Sequence, residues 1–100
     1  MPVSSHPDIE IANRVIRAHL ASLNVRVLLY GSRARGDART WSDIDVAVQA
    51  EPALPPGLLA TLREALDQSN CLLNVDVVDW LDADAPLRES ITREGIEWSA

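Results

Sequence analysis

One hundred residues, 47% of them hydrophobic, are enough for a single small domain over residues 1–100 and exclude a disordered chain. The net charge is -6 and unevenly spread: residues 1–40 carry six of the nine arginines against three acids (Asp8, Glu10 and Asp37), while residues 41–100 carry three arginines against twelve acids. A non-specific binder of DNA or RNA presents a basic surface, so no direct nucleic-acid binding is expected, and the local basicity around Arg33, Arg35 and Arg39 suits a few phosphates instead.

Further classes fall away on residue types. Lysine is absent, which argues against the glycine-lysine loop of a P-loop ATPase. Neither a Cys/His cluster for zinc nor a G-x-S-x-G elbow is present. The lone Cys71 rules out an internal disulfide and suits a reducing cytoplasm, the expected location. The opening MPVSSHPDIE has neither a basic nor an apolar leader region, and no apolar run approaches membrane-spanning length. Neither secretion nor a membrane partner is therefore expected.

Residues 7–23 read as an amphipathic helix. Pro7 suits its first position, Asp8 and Glu10 complement its N-terminal dipole, and Ile9, Ala12, Ile16, Leu20 and Leu23 form the core face. His19 lies at the edge of that stripe with nothing nearby to pair with, which marks a helical histidine without catalytic work. Val25 to Tyr30 is a buried strand rich in branched residues, ending at a glycine. Asp43 to Val48 is a second strand, with Asp43, Asp45 and Ala47 on one face and Ile44, Val46 and Val48 on the other. Pro52, Pro55, Pro56 and Gly57 stop it. Leu58, Leu59, Leu62, Ala65 and Leu66 define a second helix, and Asn74 to Trp80 a third strand. Pro86 opens a short helix carrying Leu87 and Ile91, which Gly95 ends. The order α-β-β-α-β-α predicts a small sheet faced by helices.

Chemistry concentrates between Val27 and Val48, VLLYGSRARGDARTWSDIDVAV. Gly31-Ser32 at a strand end turns the backbone sharply and offers N–H groups and a hydroxyl to an anion, although alone it is also an ordinary turn. Asp43 and Asp45 sit ~6.6 Å apart along one strand face, where they repel unless a cation lies between them. Hard oxygen ligands of this kind suit Mg²⁺. The competing reading is a solvent-facing strand surface. Asp76, within an apolar strand, is a third carboxylate. Asp79 competes with it but points to the opposite face, and Asp82 and Asp84 read as helix-entry acids. Arg33 and Arg35 either meet phosphate oxygens with their guanidinium forks or pair with a carboxylate and cap the loop. Trp41 either borders a nucleotide or anchors the loop. Arg35-Gly36-Asp37 spells a cell-adhesion tripeptide, a reading set aside because no secretion signal accompanies it.

Together the pieces give G-S-x10-D-x-D, with Gly31, Ser32, Asp43 and Asp45 at the named positions. This resembles the nucleotide-binding signature of the DNA polymerase beta-like nucleotidyltransferases, and the short chain is similar to their minimal, MNT-type branch, often paired with a HEPN-type partner. The resemblance implies an α/β (α+β) nucleotidyltransferase fold, a small mixed β-sheet flanked by helices. It implies that Gly31 and Ser32 hold the triphosphate of ATP, with Arg33 and Arg35 beside it. Asp43 and Asp45 would hold two Mg²⁺, and Asp76 would complete the metal-binding triad and assist the acceptor. The implied function is AMP transfer to a hydroxyl, with a tyrosine of a small helical HEPN-type toxin as acceptor and this chain as antitoxin. Two alternatives stand beside it: a binding module that only masks its partner, and a small-molecule nucleotidyltransferase of the aminoglycoside-modifying kind.

Overall fold

A computed structural model of the protein describes residues 7–98, so the first six residues, part of the stretch inspected for a leader, lie outside it. Helix α1 spans Pro7–Leu20 and strand β1 Val25–Tyr30. A four-residue helix α2, Ser32–Arg35, follows, and then strand β2 at Ile44–Ala50. Helix α3 (Leu58–Asp67), strand β3 (Val75–Asp79), a 3-10 turn (Trp80–Asp82), helix α4 (Ala85–Glu94) and strand β4 (Ile96–Glu97) complete the chain. The four strands form one sheet in the order β3-β2-β1-β4. β1 runs antiparallel to both β2 and β4, and β2 and β3 are parallel. A parallel pair needs a crossover, and α3 supplies it. The sheet is therefore mixed, as expected.

Alternation along the strands divides two apolar layers. Ile44, Val46 and Val48 point with Val27, Leu29 and Val77 into the main core, where Ala12, Ile16 and Leu20 of α1 and Leu62 and Leu66 of α3 meet them. Leu28, Tyr30 and Ala47 face the other way, against Ile91 of α4 with Val78, Trp80 and Leu87 around it. The upper end of this second face carries the acids. Arg63 of α3 donates to the Val77 carbonyl at 2.8 Å, which occupies part of the outer edge of β3.

Several boundaries differ from the sequence reading, each for a local reason. Helix α1 stops at Leu20 instead of continuing to residue 23. The Leu23 N–H bonds to the Leu20 carbonyl in a tight turn that aims the chain into β1, while Leu23 still packs on the core. β2 begins at Ile44, whose N–H takes the Asn74 carbonyl, so Asp43 stands just before the strand. β2 also runs past Val48, because its ladder with β1 continues to Val25↔Ala50 before Pro52 intervenes. β4 carries no periodicity to read. It exists because Ile96 and Glu97 meet Leu29 and Leu28, and the Trp98 N–H adds a bond to the Val27 carbonyl.

Asp8 does more than complement a helix dipole. It is buried, and its Oδ2 accepts the Leu72 and Leu73 N–H groups at 2.7 and 3.0 Å, tying α1 to the segment that enters β3. His19 spends its Nδ1 on the Val15 carbonyl one helical turn back, at 2.9 Å. Asp79 accepts from the Leu81 N–H and Asp84 from the Leu87 N–H, so both cap turns. Among the described residues no helix is long and apolar enough to cross a membrane.

Candidate active site

The site lies where β1 ends and β2 and β3 begin. The ladders pair Tyr30 with Asp45 and Asp45 with Asp76, so the three side chains stand in a row across neighbouring strands, about 4.8 Å apart at the backbone. Asp45 is half-buried in the middle of the row, whereas Asp76 beside it and Asp43, just before the strand, are exposed. Burial pushes the Asp45 carboxyl up to about 6, with the charges of Asp76 and Asp43 adding to it and Arg35 opposing. Burial first, then Asp45, Asp76 and Glu94, pushes the Tyr30 phenol up to about 12. The neighbouring acids concentrate negative charge at this end of the sheet face.

Gly31 follows Tyr30 and enters the turn at φ 75°, a left-handed value that favours glycine. A Cβ there would collide with the Asp45 carboxylate, so the glycine lets the turn and the central acid lie against each other. The Gly31 carbonyl accepts the Ala34 and Arg35 N–H groups, and the Ser32 carbonyl those of Gly36 and Asp37. Ser32 is half-buried at the head of this one-turn helix.

The two arginines part ways. Arg33 is 4% exposed, and its Nη2 donates to the Thr40 and Ser42 carbonyls, both at 2.9 Å. It staples the loop that delivers Asp43, and so follows the loop-capping alternative. Arg35 is exposed and pairs with two carboxylates, Asp37 and Glu94, each at 3.1 Å. Those two hydrogen bonds, Asp37 before Glu94, push its guanidinium still further up. Trp41, read as nucleotide border or loop anchor, is 70% exposed and lies outside the core.

Glu94 is the site residue the sequence reading missed. It ends α4, its side chain is 14% exposed, and its Oε1 accepts the Gly31 N–H at 3.1 Å. No local motif announces it; only the fold brings residue 94 to residue 31.

Among the described residues no group of three His, Cys, Asp or Glu side chains comes together to enclose a metal ion. Mg²⁺ does not require such a cage, since it takes one or two carboxylates and completes its shell with substrate phosphates and water. The donor set fits that mode: all-oxygen ligands, with one carboxylate whose raised pKa reflects burial and like-charge repulsion that a cation would relieve.

A probable protein adenylyltransferase, MntA, of Haemophilus influenzae is 34% identical over 67 residues, which cover 67% of this chain and 59% of that relative's length. The chain thus spans less than two thirds of that relative. A solved structure of a minimal nucleotidyltransferase superposes with a TM-score of 0.71 at 28% identity, covering 95% of this chain and 97% of the other. A toxin–antitoxin structure with AMP-PNP gives 0.61 at 29% identity, covering 88% and 73%. The MNT antitoxin complex with a tri-AMPylated HEPN toxin of Shewanella oneidensis gives 0.56 at 27%, covering 93% and 73%. The family described as polymerase beta, nucleotidyltransferase, matches residues 18–97, the span from α1 to β4 that builds the acid row and the turn beneath it, and the chain belongs to that family.

Proposed function

We propose that the chain transfers AMP from ATP to a hydroxyl of a partner protein, the acceptor being a tyrosine of a HEPN-type toxin for which this chain is the antitoxin. The observation that carries the reading is the Asp45–Asp76 register beside the Gly31 turn, with the charge of Asp43 helping to push the Asp45 carboxyl up. Membership of the family supports nucleotidyl transfer. The adenylyltransferase relative and the complex with an AMPylated toxin support a protein acceptor.

Asp43 and Asp45 would hold two Mg²⁺ with Asp76 completing the set, and the bound metal would supply charge neutralisation on the phosphates and a lowered pKa for the attacking hydroxyl. The protein's own groups orient the substrates. Ser32 and the turn behind it receive the triphosphate, and Arg35 lends positive charge beside them. Asp76, exposed at the end of the row, takes the acceptor's proton at a carboxylate oxygen. As the acceptor oxygen bonds to the α-phosphorus, the bond to the bridging oxygen breaks and pyrophosphate leaves. Tyr30 and Ala47, buried on the same face, stand beside Asp45, whose carboxyl is partly desolvated. In this reading the partner protein positions its own hydroxyl at the site.

Incubated with its cognate HEPN-type protein, ATP and Mg²⁺, the chain should add discrete AMP increments to that protein, read by intact-mass spectrometry, and Asp43→Ala should remove them. If no increment forms and Asp43→Ala still neutralises the partner, the chain is a masking module and the enzyme reading is wrong.

A further inference from the structure

The antiparallel register of β1 and β4 pairs Leu28 with Glu97 and Leu29 with Ile96. Two residues beyond Leu29 and two before Ile96, the same register sets Gly31 opposite Glu94 at the end of α4. No backbone pair forms there. Instead the Glu94 side chain takes the position, its Oε1 accepting the Gly31 N–H while its Oε2 accepts from Arg35 Nη1, both at 3.1 Å. Arg93 Nη2 lies 3.8 Å from the same Oε2.

The backbone that carries Glu94 is fixed on both sides. Behind it, the Gly95 N–H closes α4 on the Ile91 carbonyl at 2.7 Å, and Ile91 is fully buried. Ahead of it, Ile96 is paired into the sheet and the Trp98 N–H holds the Val27 carbonyl at 2.8 Å. A carboxylate on so constrained a base is a poor candidate for casual surface pairing. It joins the end of β1, at a glycine with φ 75°, to an arginine one helical turn later.

The geometry points to Glu94 as a positioning residue for the triphosphate: it clamps Gly31 and Arg35 together, which sets the turn and aims the Arg35 guanidinium at the phosphate chain. The inference rests on reading this turn as the triphosphate site. It also reassigns Gly31. That N–H belongs to Glu94, and the glycine serves the site by giving room to the Asp45 carboxylate.

The test uses the full chain, MgATP and four forms: wild type, Glu94→Gln, Arg35→Ala and the double variant. Glu94→Gln keeps the size of the side chain and an oxygen for Gly31, but removes the charge facing Arg35. Nitrogen-15 relaxation of the Arg35 Nη1 group, the one that meets Glu94, should show an ordered guanidinium in the wild type and a loosened one in Glu94→Gln. Calorimetry should show the MgATP Kd rising about tenfold in Glu94→Gln, as expected for a lost charge-assisted hydrogen bond that preorganises a phosphate ligand. On the Arg35→Ala background the same change should matter less than about twofold. An unchanged or tighter Kd in Glu94→Gln overturns the inference, as does an equal loss on both backgrounds, which would mark a merely structural strut. A wild type that binds no MgATP sinks the triphosphate reading and this inference with it. The Arg35 relaxation tells that failure apart from a clamp that never forms.

Discussion

Replacing Asp45 by Asn should stabilise the metal-free protein. The Asp45 carboxyl sits at about 6 against an ordinary 3.8, raised first by burial and then by Asp76 and Asp43. A carboxylate raised in the folded state favours folding only in its protonated form. Relative to neutral pH, its stabilising effect is complete below about 3.8 and is lost as pH rises through about 6. The interval corresponds to about 3 kcal/mol at full strength. Asp45 is only half-buried, and screening by water reduces this to about 1–2 kcal/mol. Asn keeps the shape and removes the charge, so at pH 7.5 in EDTA the variant should melt roughly 5–10 °C above the wild type. The advantage should shrink below pH 6 and vanish near pH 3.5, where wild-type Asp45 is neutral in both states. Denaturant unfolding across that pH range gives the same comparison as free energy. A variant less stable than the wild type at pH 7.5, or one whose gain ignores pH, would refute the reasoning and mark Asp45 as a structural acceptor.

Three further outcomes follow from the same packing. Gly31→Ala forces a side chain into a left-handed turn and onto the Asp45 carboxylate, and should cost at least about 1–3 kcal/mol in urea unfolding. Arg33→Ala leaves the Thr40 and Ser42 carbonyls without their donor, and should cost about 2–3 kcal/mol and speed proteolysis of the loop before Asp43. Asp8→Ala strips the acceptor from the Leu72 and Leu73 N–H groups at the entry to β3, and should lower stability by about 1–3 kcal/mol in urea unfolding.

Much of this protein was legible along the chain because the decisive signals are local. A run such as Val25–Tyr30 can bury itself only as a strand, and the pairing of Gly31-Ser32 with Asp43 and Asp45 lies within one continuous stretch. Strand alternation and its place near the strand's end set Asp79 apart from Asp76, and Asp79 caps the turn at Leu81. Tertiary structure decided whatever depends on partners distant in sequence. β4 is two residues long and acquires its strand only from the exposed edge of β1. Arg33 and Arg35 look equivalent in the sequence, yet one is sealed under the loop it staples and the other faces outward between two carboxylates. The clamp between Glu94 and Gly31 spans 63 positions, and no spacing rule reaches so far. A hydrophobic period records which way a residue faces; which group waits there is settled only when the sheet closes.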